Sequence, residues 1–493
     1  MELKIKLLRW SAGLPVAILN KKTAEKIGIH TNDRISIRTI TRQPKEIYTL
    51  ADTIKGLVRE DEIAVSSELK KRLGLKVGQK VDINFSMPPK SLIYIKKKLN
   101  KKPLSEKEMG EIIRDVVNNA LSEPEIALFI SAIHKYGMNM KEIIYMIKAI
   151  SKSGSHLRLR NRFVVDKHSI GGIPGNRTTP IVVPICAVAG LTFPKSSSRA
   201  ITSAAGTADV IEMIADVEFS IKELKKILKK TNACMVWGGA LGMVPADTKL
   251  IKVEKELNIE PKPQLLASII SKKLAVSSKY ILIDIPYGKN SKVSKVEALD
   301  LKRKFEYIGK YFGKKLKCVL TDGTQLIGNG VGPALELEDI INILDPEKEG
   351  PLDLKEKSLF LAGELLEMTG KAKKTHGIGM AEDILSSGKA FEKFKQIIEA
   401  QNGSLKNMKL AKFKKHILAK KTGKIVEMHN KKINSLARVA GCPIDKCAGI
   451  YFYFHVRDSV KKHQKILTLY AESKPRLNEA VRFYQETRPV KIK

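Results

Sequence analysis

Short runs in which apolar and polar residues alternate fill most of the first 86 positions. KIKLLRW, PVAILN, RISIRTIT and KVDINF are such runs, and Gly, Asn and Asp separate them. Successive side chains of a strand point to opposite faces, so this alternation indicates strands with one buried face. Residues 1–86 are therefore predicted to form an N-terminal β-rich, barrel-like domain.

The apolar period changes to that of a helix after the proline-containing segment at 86–91. Three residue pairs have the spacing of a capping box, in which an N-cap residue and the residue three positions later bond each other's backbone. They are Ser105 with Glu108, Ser122 with Glu125, and Asn139 with Glu142. We expect residues 92–160 to form a helical lobe that later helices complete, with Ile126, Phe129, Ile130 and Ile133 in its core.

Strand-like and helix-like segments alternate from 161 to about 345, and helical patterns follow to 402. RFVVD, ACMVW and YILIDIP are the clearest strands, and PQLLASIISKKLA is a helix. Such alternation is typical of an α/β domain with a mostly parallel sheet. The fold class is therefore α/β multidomain, with an α/β lobe at 161–402 and a separate, β-rich C-terminal domain at 408–493.

Glycine and hydroxyl residues are concentrated in the stretch 166–209. Gly171, Gly172 and Gly175 precede an apolar run at 181–191, and a hydroxyl-rich strip follows that run. The strip contains Ser196, Ser197, Ser198, Thr202, Ser203 and Thr207. Glycines allow backbone N–H groups close to an anion, and hydroxyls donate further bonds, which predicts a site for two phosphate groups. Neither loop matches a Walker A or G-x-G-x-x-G motif, so a plain glycine turn beside exposed serines stays open.

Composition limits the classes of protein that fit. The formal net charge of +37 is compatible with nucleic-acid binding. The lysines are scattered, however, and no RNA-binding motif occurs, so we expect no nucleic-acid partner. The five widely spaced cysteines indicate a reducing compartment, and the N-terminus MELKIKLLRW lacks the features of a signal peptide. We expect a cytoplasmic protein without membrane contact.

Several long motifs, in order along nearly the whole chain, resemble one enzyme family. DKHSIGG and SSRAITSAAGTAD resemble the thymidine and pyrimidine-nucleoside phosphorylases, and GIPGNRTT and SRAITSAAGT look like the archaeal AMP phosphorylase branch. WGGALGMVPAD, PQLLASIISKKLA, YILIDIPYGK and VGPALE continue the resemblance.

The resemblance implies an archaeal pentosyltransferase of nucleotide salvage. It would convert AMP and orthophosphate to adenine and ribose 1,5-bisphosphate, and CMP and UMP would react in the same way. It also implies a C-terminal α+β hammerhead-like domain, no metal or cofactor apart from orthophosphate as co-substrate, and an oligomer of dimer size or larger that involves the N-terminal domain.

The same resemblance assigns roles to residues of this chain. Orthophosphate contacts fall on Lys167, Ser169, Thr179, Ser198 and Thr207. Contacts to the base fall on His168, Ser268 and Lys272. Nucleotide contacts fall on Gly172, Ser198, Arg199, Ala200, Ile201, Thr202, Ser203, Thr207, Ser268 and Lys292. Which phosphate Ser198 and Thr207 hold stays open.

Three positions depart from the pattern of the family. Arg177 stands in GGIPGNRTT, where bacterial relatives carry an aspartate nearby, and a guanidinium can pair with a 5′-phosphate. Val253 stands where the pyrimidine enzymes have a base-binding arginine. Glu260 in NIEPKP matches an aspartate that acts as proton donor, and a glutamate serves as general acid when burial raises its pKa. An exposed loop glutamate is the competing interpretation.

Three other functions compete with AMP phosphorolysis. A thymidine or pyrimidine-nucleoside phosphorylase shares the fold and needs no 5′-phosphate on its substrate. An anthranilate-type phosphoribosyltransferase would require phosphoribosyl pyrophosphate and usually magnesium. A basic nucleic-acid-binding protein would show steeply salt-dependent binding.

Overall fold

The computed structural model describes residues 1–7, 16–200, 203–239 and 242–493. It consists of two compact units. Unit 1 contains Met1–Ser153 and Pro245–Ala267, and unit 2 contains Gly154–Val244 and Ser268–Lys493. Among the described residues, every helix is too short or too polar to cross a membrane.

The N-terminal part of unit 1 is a closed β-barrel, which confirms the predicted β-rich fold. The strands are joined in the order β1-β5-β2-β4-β3-β6 over the described residues. Alternate side chains such as Leu3, Ile5, Ile35 and Ile37 are at most 2% exposed and fill the barrel. The elements are β1 Glu2–Leu7, β2 Ala17–Asn20, α1 Lys21–Lys26, β3 Arg34–Thr39, β4 Glu46–Ile54, β5 Glu62–Val65, α2 Ser67–Leu73 and β6 Lys80–Phe85.

A helical bundle follows the barrel in unit 1. Its helices are α3 Ser91–Leu99, α4 Glu106–Val117, α5 Glu123–Tyr136 and α6 Met140–Lys152. The three predicted capping boxes are formed at the starts of α4, α5 and α6. Ile126, Phe129, Ile130 and Ile133 are buried as predicted, because they lie on one face of α5.

Parallel strand pairs form the centre of unit 2. One sheet has the order β11-β10-β7 and the other pairs β8 with β9. The next elements of the chain are β7 Val165–Ser169, α7 Thr179–Val188, β8 Phe193–Ser197, α8 Thr207–Ile211, α9 Ile221–Thr231, β9 Ala233–Trp237, α10 Pro245–Leu257, α11 Lys262–Ala275, β10 Tyr280–Tyr287, α12 Lys295–Tyr311, β11 Lys315–Asp322, β12 Gly330–Val331 and α13 Pro333–Leu344. Helix α10 belongs to unit 1, and the division between the units falls within α11.

Strand β7 begins three residues later than the RFVVD pattern predicts and extends through Ser169. Its pairing with β10 sets Lys167 opposite Leu282 and Ser169 opposite Asp284. Lys167, His168 and Ser169 therefore lie on a strand and not in the glycine-containing loop at 170–178 that follows it. Ser196 and Ser197, predicted as loop residues, likewise belong to β8 and are buried, because β8 pairs with β9 along its whole length.

Most of the apolar run at 181–191 lies in the buried helix α7, which ends at Val188, and the residues from Ile181 to Ala187 are all buried. It packs in the main apolar cluster of unit 2 with three later helices. These are α14 Leu352–Thr369, α15 Gly377–Ser386 and α16 Lys389–Ala400. Because α7 is packed among apolar side chains, the position of its N-terminus is fixed. The loop at 170–178 leads into that N-terminus.

The C-terminal domain is α+β, as expected. Its strands belong to the orders β12-β15-β17-β13 and β16-β14-β18. The elements are β13 Phe413–Leu418, β14 Gly423–Met428, α17 Asn430–Ala440, β15 Gly449–Phe452, β16 Ser459–Val460, β17 Lys465–Ala471, α18 Lys474–Thr487 and β18 Val490–Ile492. Its apolar core includes Ala204 and Leu326, which come from the α/β part of unit 2.

Candidate functional site

Residues 170–178, here the glycine loop, join β7 to the buried helix α7. Gly171 and Gly172 have φ values of +81° and +94°. A Cβ atom on Gly172 would lie 2.6 Å from Cγ of Lys292. Only glycine combines this backbone geometry with such a close side chain, so Lys292 can lie directly over the loop. Two residues with predicted nucleotide contacts, Gly172 and Lys292, are thus neighbours.

Residues 198–200 and 203–206, here the serine loop, lie between β8 and α8. The Asp209 carboxylate folds the loop, since its Oδ2 accepts bonds from the N–H groups of Ala200 and Gly206, both at 2.7 Å. The Ser203 hydroxyl donates to the Ala205 carbonyl at 2.9 Å. Ile201 and Thr202, which carry predicted nucleotide contacts, lie outside the described residues.

Arg177 joins the two loops inside the protein. Its Nε donates to Glu336 Oε2 at 2.6 Å, and its two terminal nitrogens reach the Ala205 carbonyl at 2.6 Å and the Thr207 hydroxyl at 3.2 Å. The Glu336 side chain is 1% exposed. Every nitrogen of the guanidinium group therefore has a protein partner. This arrangement favours a positioning role for Arg177 over the predicted contact with a 5′-phosphate.

Arg199, at the start of the serine loop, is also held by protein groups. It forms a two-point ion pair with Glu212, one bond of which is 2.7 Å, and its guanidinium lies 4.6 Å from the Trp237 ring centroid. Bonds from Arg199 and from Lys446 lower the pKa of Glu212 to about 2. The side chain of Arg199 thus fixes the loop, which leaves its backbone as the part suited to a ligand.

A buried cluster of lysines lies behind the two loops. Asp166 Oδ1 is 2.9 Å from Lys273 Nζ and 3.2 Å from Lys195 Nζ, and Lys195 also donates to the Lys167 carbonyl at 2.7 Å. Asp284 is 3.2 Å from Lys357 Nζ and accepts a bond of 2.6 Å from the Thr321 hydroxyl. With Lys167, four lysines face two aspartates. The excess positive charge makes this region suitable for a phosphate dianion.

Burial changes the titration of this cluster. Desolvation lowers the pKa of Lys167 and of Lys273 to about 7 in each case, although the nearby aspartates oppose the shift. Burial would by itself raise the pKa of Asp284, but Lys357 and Lys167 outweigh it and hold that pKa below its usual range. An entering anion would favour the charged form of both lysines.

The environment of His168 disfavours the charged imidazolium form. Burial, reinforced by the ammonium groups of Lys273, Lys195 and Lys272, holds its pKa well below the usual value. A neutral imidazole can donate one hydrogen bond and accept another, which suits contact with a heterocyclic base. The role of His168 near the base remains a prediction from the family resemblance.

The other predicted contacts of unit 2 lie on β7, α7 and α11. The Lys167 ammonium donates to the Thr178 hydroxyl, and Asn176 donates to the Ser169 hydroxyl at 3.2 Å. Thr179 is the first residue of α7 and is 7% exposed. On α11, Lys272 Nζ donates to the Ser268 hydroxyl at 2.6 Å, one helical turn apart.

Glu260 belongs to unit 1, in the connection between α10 and α11, and its side chain is partly exposed. Val253 is buried on α10 of the same unit. The proton-donor role of Glu260 remains a prediction from the family resemblance.

Sequence reasoning missed several residues of this site. Lys195 and Lys273 are buried, and Lys357 has a side chain that is 9% exposed. Their aspartate partners lie far away in the chain, so no local pattern identifies these lysines. Lys195 has the best signal, because a lysine inside a short buried strand needs a partner. Asn434 and Lys446 come from the C-terminal domain, which sequence reasoning assigned no part in the site.

The domain set defines a class of enzymes. The family model described as "Glycosyl transferase family, helical bundle domain" matches residues 93–154, and the model for the a/b domain of that family matches residues 161–391. The "Pyrimidine nucleoside phosphorylase C-terminal domain" matches residues 424–491. The chain is therefore a transferase built on the glycosyl transferase helical-bundle and a/b domains.

Relatives that align over the full length of the chain show which family within this class it belongs to. The AMP phosphorylase of Thermococcus kodakarensis is 42% identical over 100% of this chain and 98% of its own length. The AMP phosphorylase of Pyrococcus abyssi is 44% identical with the same coverage, and that of Methanococcus aeolicus is 39% identical over 99% of this chain and 97% of its own. The chain belongs to the AMP phosphorylase family, which confirms the recognised resemblance.

A solved structure shares the fold. Anthranilate phosphoribosyltransferase from Thermus thermophilus aligns with a TM-score of 0.53 over 62% of this chain and 99% of its own, at 18% identity. Identity this low supports the α/β fold class alone.

Proposed function

We propose that this protein cleaves AMP with orthophosphate to give adenine and ribose 1,5-bisphosphate, and that it also accepts CMP and UMP. The observations that support the proposal are a glycine loop and a serine loop that Arg177 joins, a buried cluster in which lysines outnumber aspartates, and full-length relatives that are AMP phosphorylases. Two loops match a reaction in which one phosphate enters and the substrate carries another.

Each reaction step has a group suited to it. An oxygen of orthophosphate attacks C1′ of the ribose, and the bond between C1′ and the base nitrogen breaks with its electron pair going to the base. Glu260 gives its proton to the leaving base. Hydrogen phosphate releases its own proton to solvent as the ester forms, and solvent returns a proton to Glu260. Positive charge that develops on the sugar is stabilised by the orthophosphate anion itself.

The proposed contacts divide by substrate. Lys167 and Ser169 on β7 and Thr179 on α7 hold orthophosphate. Gly172, Lys292 and the serine loop hold the nucleotide, while Ser198 and Thr207 each contact one of the two phosphates. His168, Ser268 and Lys272 face the base. No cofactor takes part, since orthophosphate is the second substrate.

The experiment is phosphate-dependent release of free base from AMP, CMP and UMP, with adenosine, cytidine and uridine run in parallel. Release from the nucleotides alone supports the proposal and ranks the bases. Release that does not require orthophosphate would refute phosphorolysis.

Pyrimidine-nucleoside phosphorolysis is the second candidate, because residues 424–491 match the C-terminal domain of that enzyme class. It predicts turnover of uridine without a 5′-phosphate. Val253 argues against it, since the resemblance places a base-binding arginine of the pyrimidine enzymes at that position.

We further propose a cytoplasmic homo-oligomer of dimer size or larger that does not bind nucleic acid. All five cysteines are free thiols, as is typical of a reducing compartment. Size-exclusion chromatography with light scattering measures the assembly, and removal of residues 1–86 tests whether the N-terminal domain supports it.

A further inference from the structure

The C-terminal domain contacts the backbone of both the glycine loop and the serine loop. On α17, the Asn434 Oδ1 accepts a bond of 3.1 Å from the N–H of Ala204 in the serine loop. The Nδ2 of the same amide donates to the carbonyl of Gly172 in the glycine loop, at 3.4 Å. One side chain thus joins two loops that are 32 residues apart in the chain.

We propose that Asn434 is a positioning residue for the anion site, which is the set of proposed phosphate contacts in and beside the glycine and serine loops. The amide of Asn434 fixes the spacing and orientation of the glycine loop relative to the serine loop. This inference rests on the proposed function, because it takes both loops to hold the anions of the reaction.

The chemistry of an amide fits this position. The Ala204 side of the junction presents a donor and the Gly172 side presents an acceptor, so the bridging group must accept on one side and donate on the other. Asn does both in one planar group, whereas a carboxylate only accepts and an aliphatic side chain does neither. The required pattern also sets which way the amide is oriented.

The contact controls backbone direction in the glycine loop. In a trans peptide the N–H of Ile173 points away from the carbonyl of Gly172. Holding that carbonyl on Asn434 therefore turns the Ile173 N–H to the opposite side of the loop. Gly172 has φ +94° and can adopt many other conformations, so an external bond is needed to select this one.

The C-terminal domain is a rigid support for this bond. Asn434 is 6% exposed, and Ile433, Leu436 and Ala437 on α17 are buried in the core cluster that also contains Ala204. A second contact lies at the other end of the serine loop, where Lys446 Nζ is 2.6 Å from Glu212, the partner of Arg199. The domain thus supports the serine loop near both ends.

The test compares Asn434→Asp and Asn434→Ala with the unaltered full-length protein. We expect the KM values for AMP and for orthophosphate to rise about tenfold to a hundredfold in both variants, as the loss of one or two hydrogen bonds predicts. Both values should change because Gly172 and the serine loop contact the nucleotide, and Ser169 and Thr179, which contact orthophosphate, flank the same glycine loop. Isothermal titration with orthophosphate alone should show the same loss, and this second readout does not depend on AMP turnover.

The pH profile distinguishes positioning from general destabilisation. In the Asn434→Asp variant, the introduced carboxyl, once protonated, can again accept from Ala204 and donate to Gly172. This variant should therefore approach the unaltered protein as pH falls from about 8 to about 5. Asn434→Ala has no such group and its relative KM should stay raised throughout.

Two control variants lie on the same helix. Ser435→Asp adds a charge at an exposed position, and Asn430→Asp alters a buried amide that donates to the Gly323 carbonyl at 2.9 Å. We expect a normal KM for orthophosphate from both, with a lower melting temperature for Asn430→Asp.

An unchanged KM in Asn434→Ala, or a raised KM in Asn430→Asp that matches its loss of stability, would overturn the inference. If the unaltered protein does not turn over AMP, the proposed function fails instead, and orthophosphate titration still tests Asn434.

Discussion

Replacement of Arg177 by methionine separates a positioning role from direct phosphate binding. The change removes one charge-assisted bond to Glu336 and two bonds to Ala205 and Thr207. Removal of one partner of a buried ion pair costs about 3–5 kcal/mol, because the other charge stays buried without compensation. Arg177→Met should therefore lower the free energy of unfolding by about that amount near pH 7.

The loss of stability in Arg177→Met should depend on pH, because the variant leaves the buried Glu336 carboxyl without its cation. Burial already raises the pKa of Glu336, and the Arg177 guanidinium opposes that effect. Without Arg177 the folded-state pKa rises further, so the carboxyl favours folding only where it is protonated. The destabilisation of Arg177→Met should therefore lessen as pH falls towards the unfolded-state pKa of about 4.3.

The assay is the urea midpoint of Arg177→Met between pH 5 and 8, together with KM values for AMP, adenosine and orthophosphate. Glu336→Gln is the matched partner variant, and the double variant Arg177→Met/Glu336→Gln should recover part of the lost stability because no unpaired charge remains. An unchanged midpoint with a raised KM for AMP alone would refute this reasoning and restore the 5′-phosphate contact.

Three further predictions follow from the site. Glu260→Gln should lower kcat for AMP by a factor of about 10² to 10⁴ and leave the KM for orthophosphate unchanged, and an unchanged kcat would remove Glu260 as the acid. Since the pKa of Lys167 is about 7, its ammonium loses its proton as pH rises from 7 to 9, so the KM for orthophosphate should rise by up to about tenfold per pH unit, and a flat profile would contradict this. Lys273→Met should destabilise unit 2 by about 1.5–3 kcal/mol, measured by urea unfolding, because Asp166 loses its 2.9 Å partner but keeps Lys195 at 3.2 Å, and an unchanged urea midpoint would contradict this.

Sequence patterns predicted the helices and strands well, because these elements depend on interactions between residues that are close in the chain. Capping boxes such as Ser105 with Glu108 lie within a single helical turn, and the alternation in β3 and β6 reflects one buried barrel face. Ser196 and Ser197 were predicted as loop residues because their hydroxyls are polar. They form a buried strand because pairing with β9 satisfies their backbone.

The site was predictable only where chemistry and sequence order coincide. The glycines and hydroxyls of 166–209 are adjacent in the chain, and their residue types alone indicate an anion site. The partners that decide what Arg177 and Gly172 do, Glu336 and Asn434, lie 159 and 262 residues away. Such contacts cannot be predicted from a single sequence, because they arise from the tertiary packing of distant segments.

The central claim is that the anion site passes orthophosphate to C1′ of a nucleotide. The most direct measurement is the reaction of AMP with orthophosphate labelled with oxygen-18, followed by mass spectrometry and phosphorus NMR of the sugar product. The account predicts a ribose carrying two phosphates, with the label confined to the phosphate on C1. Ribose 5-phosphate without label would show hydrolysis by water and would contradict the account.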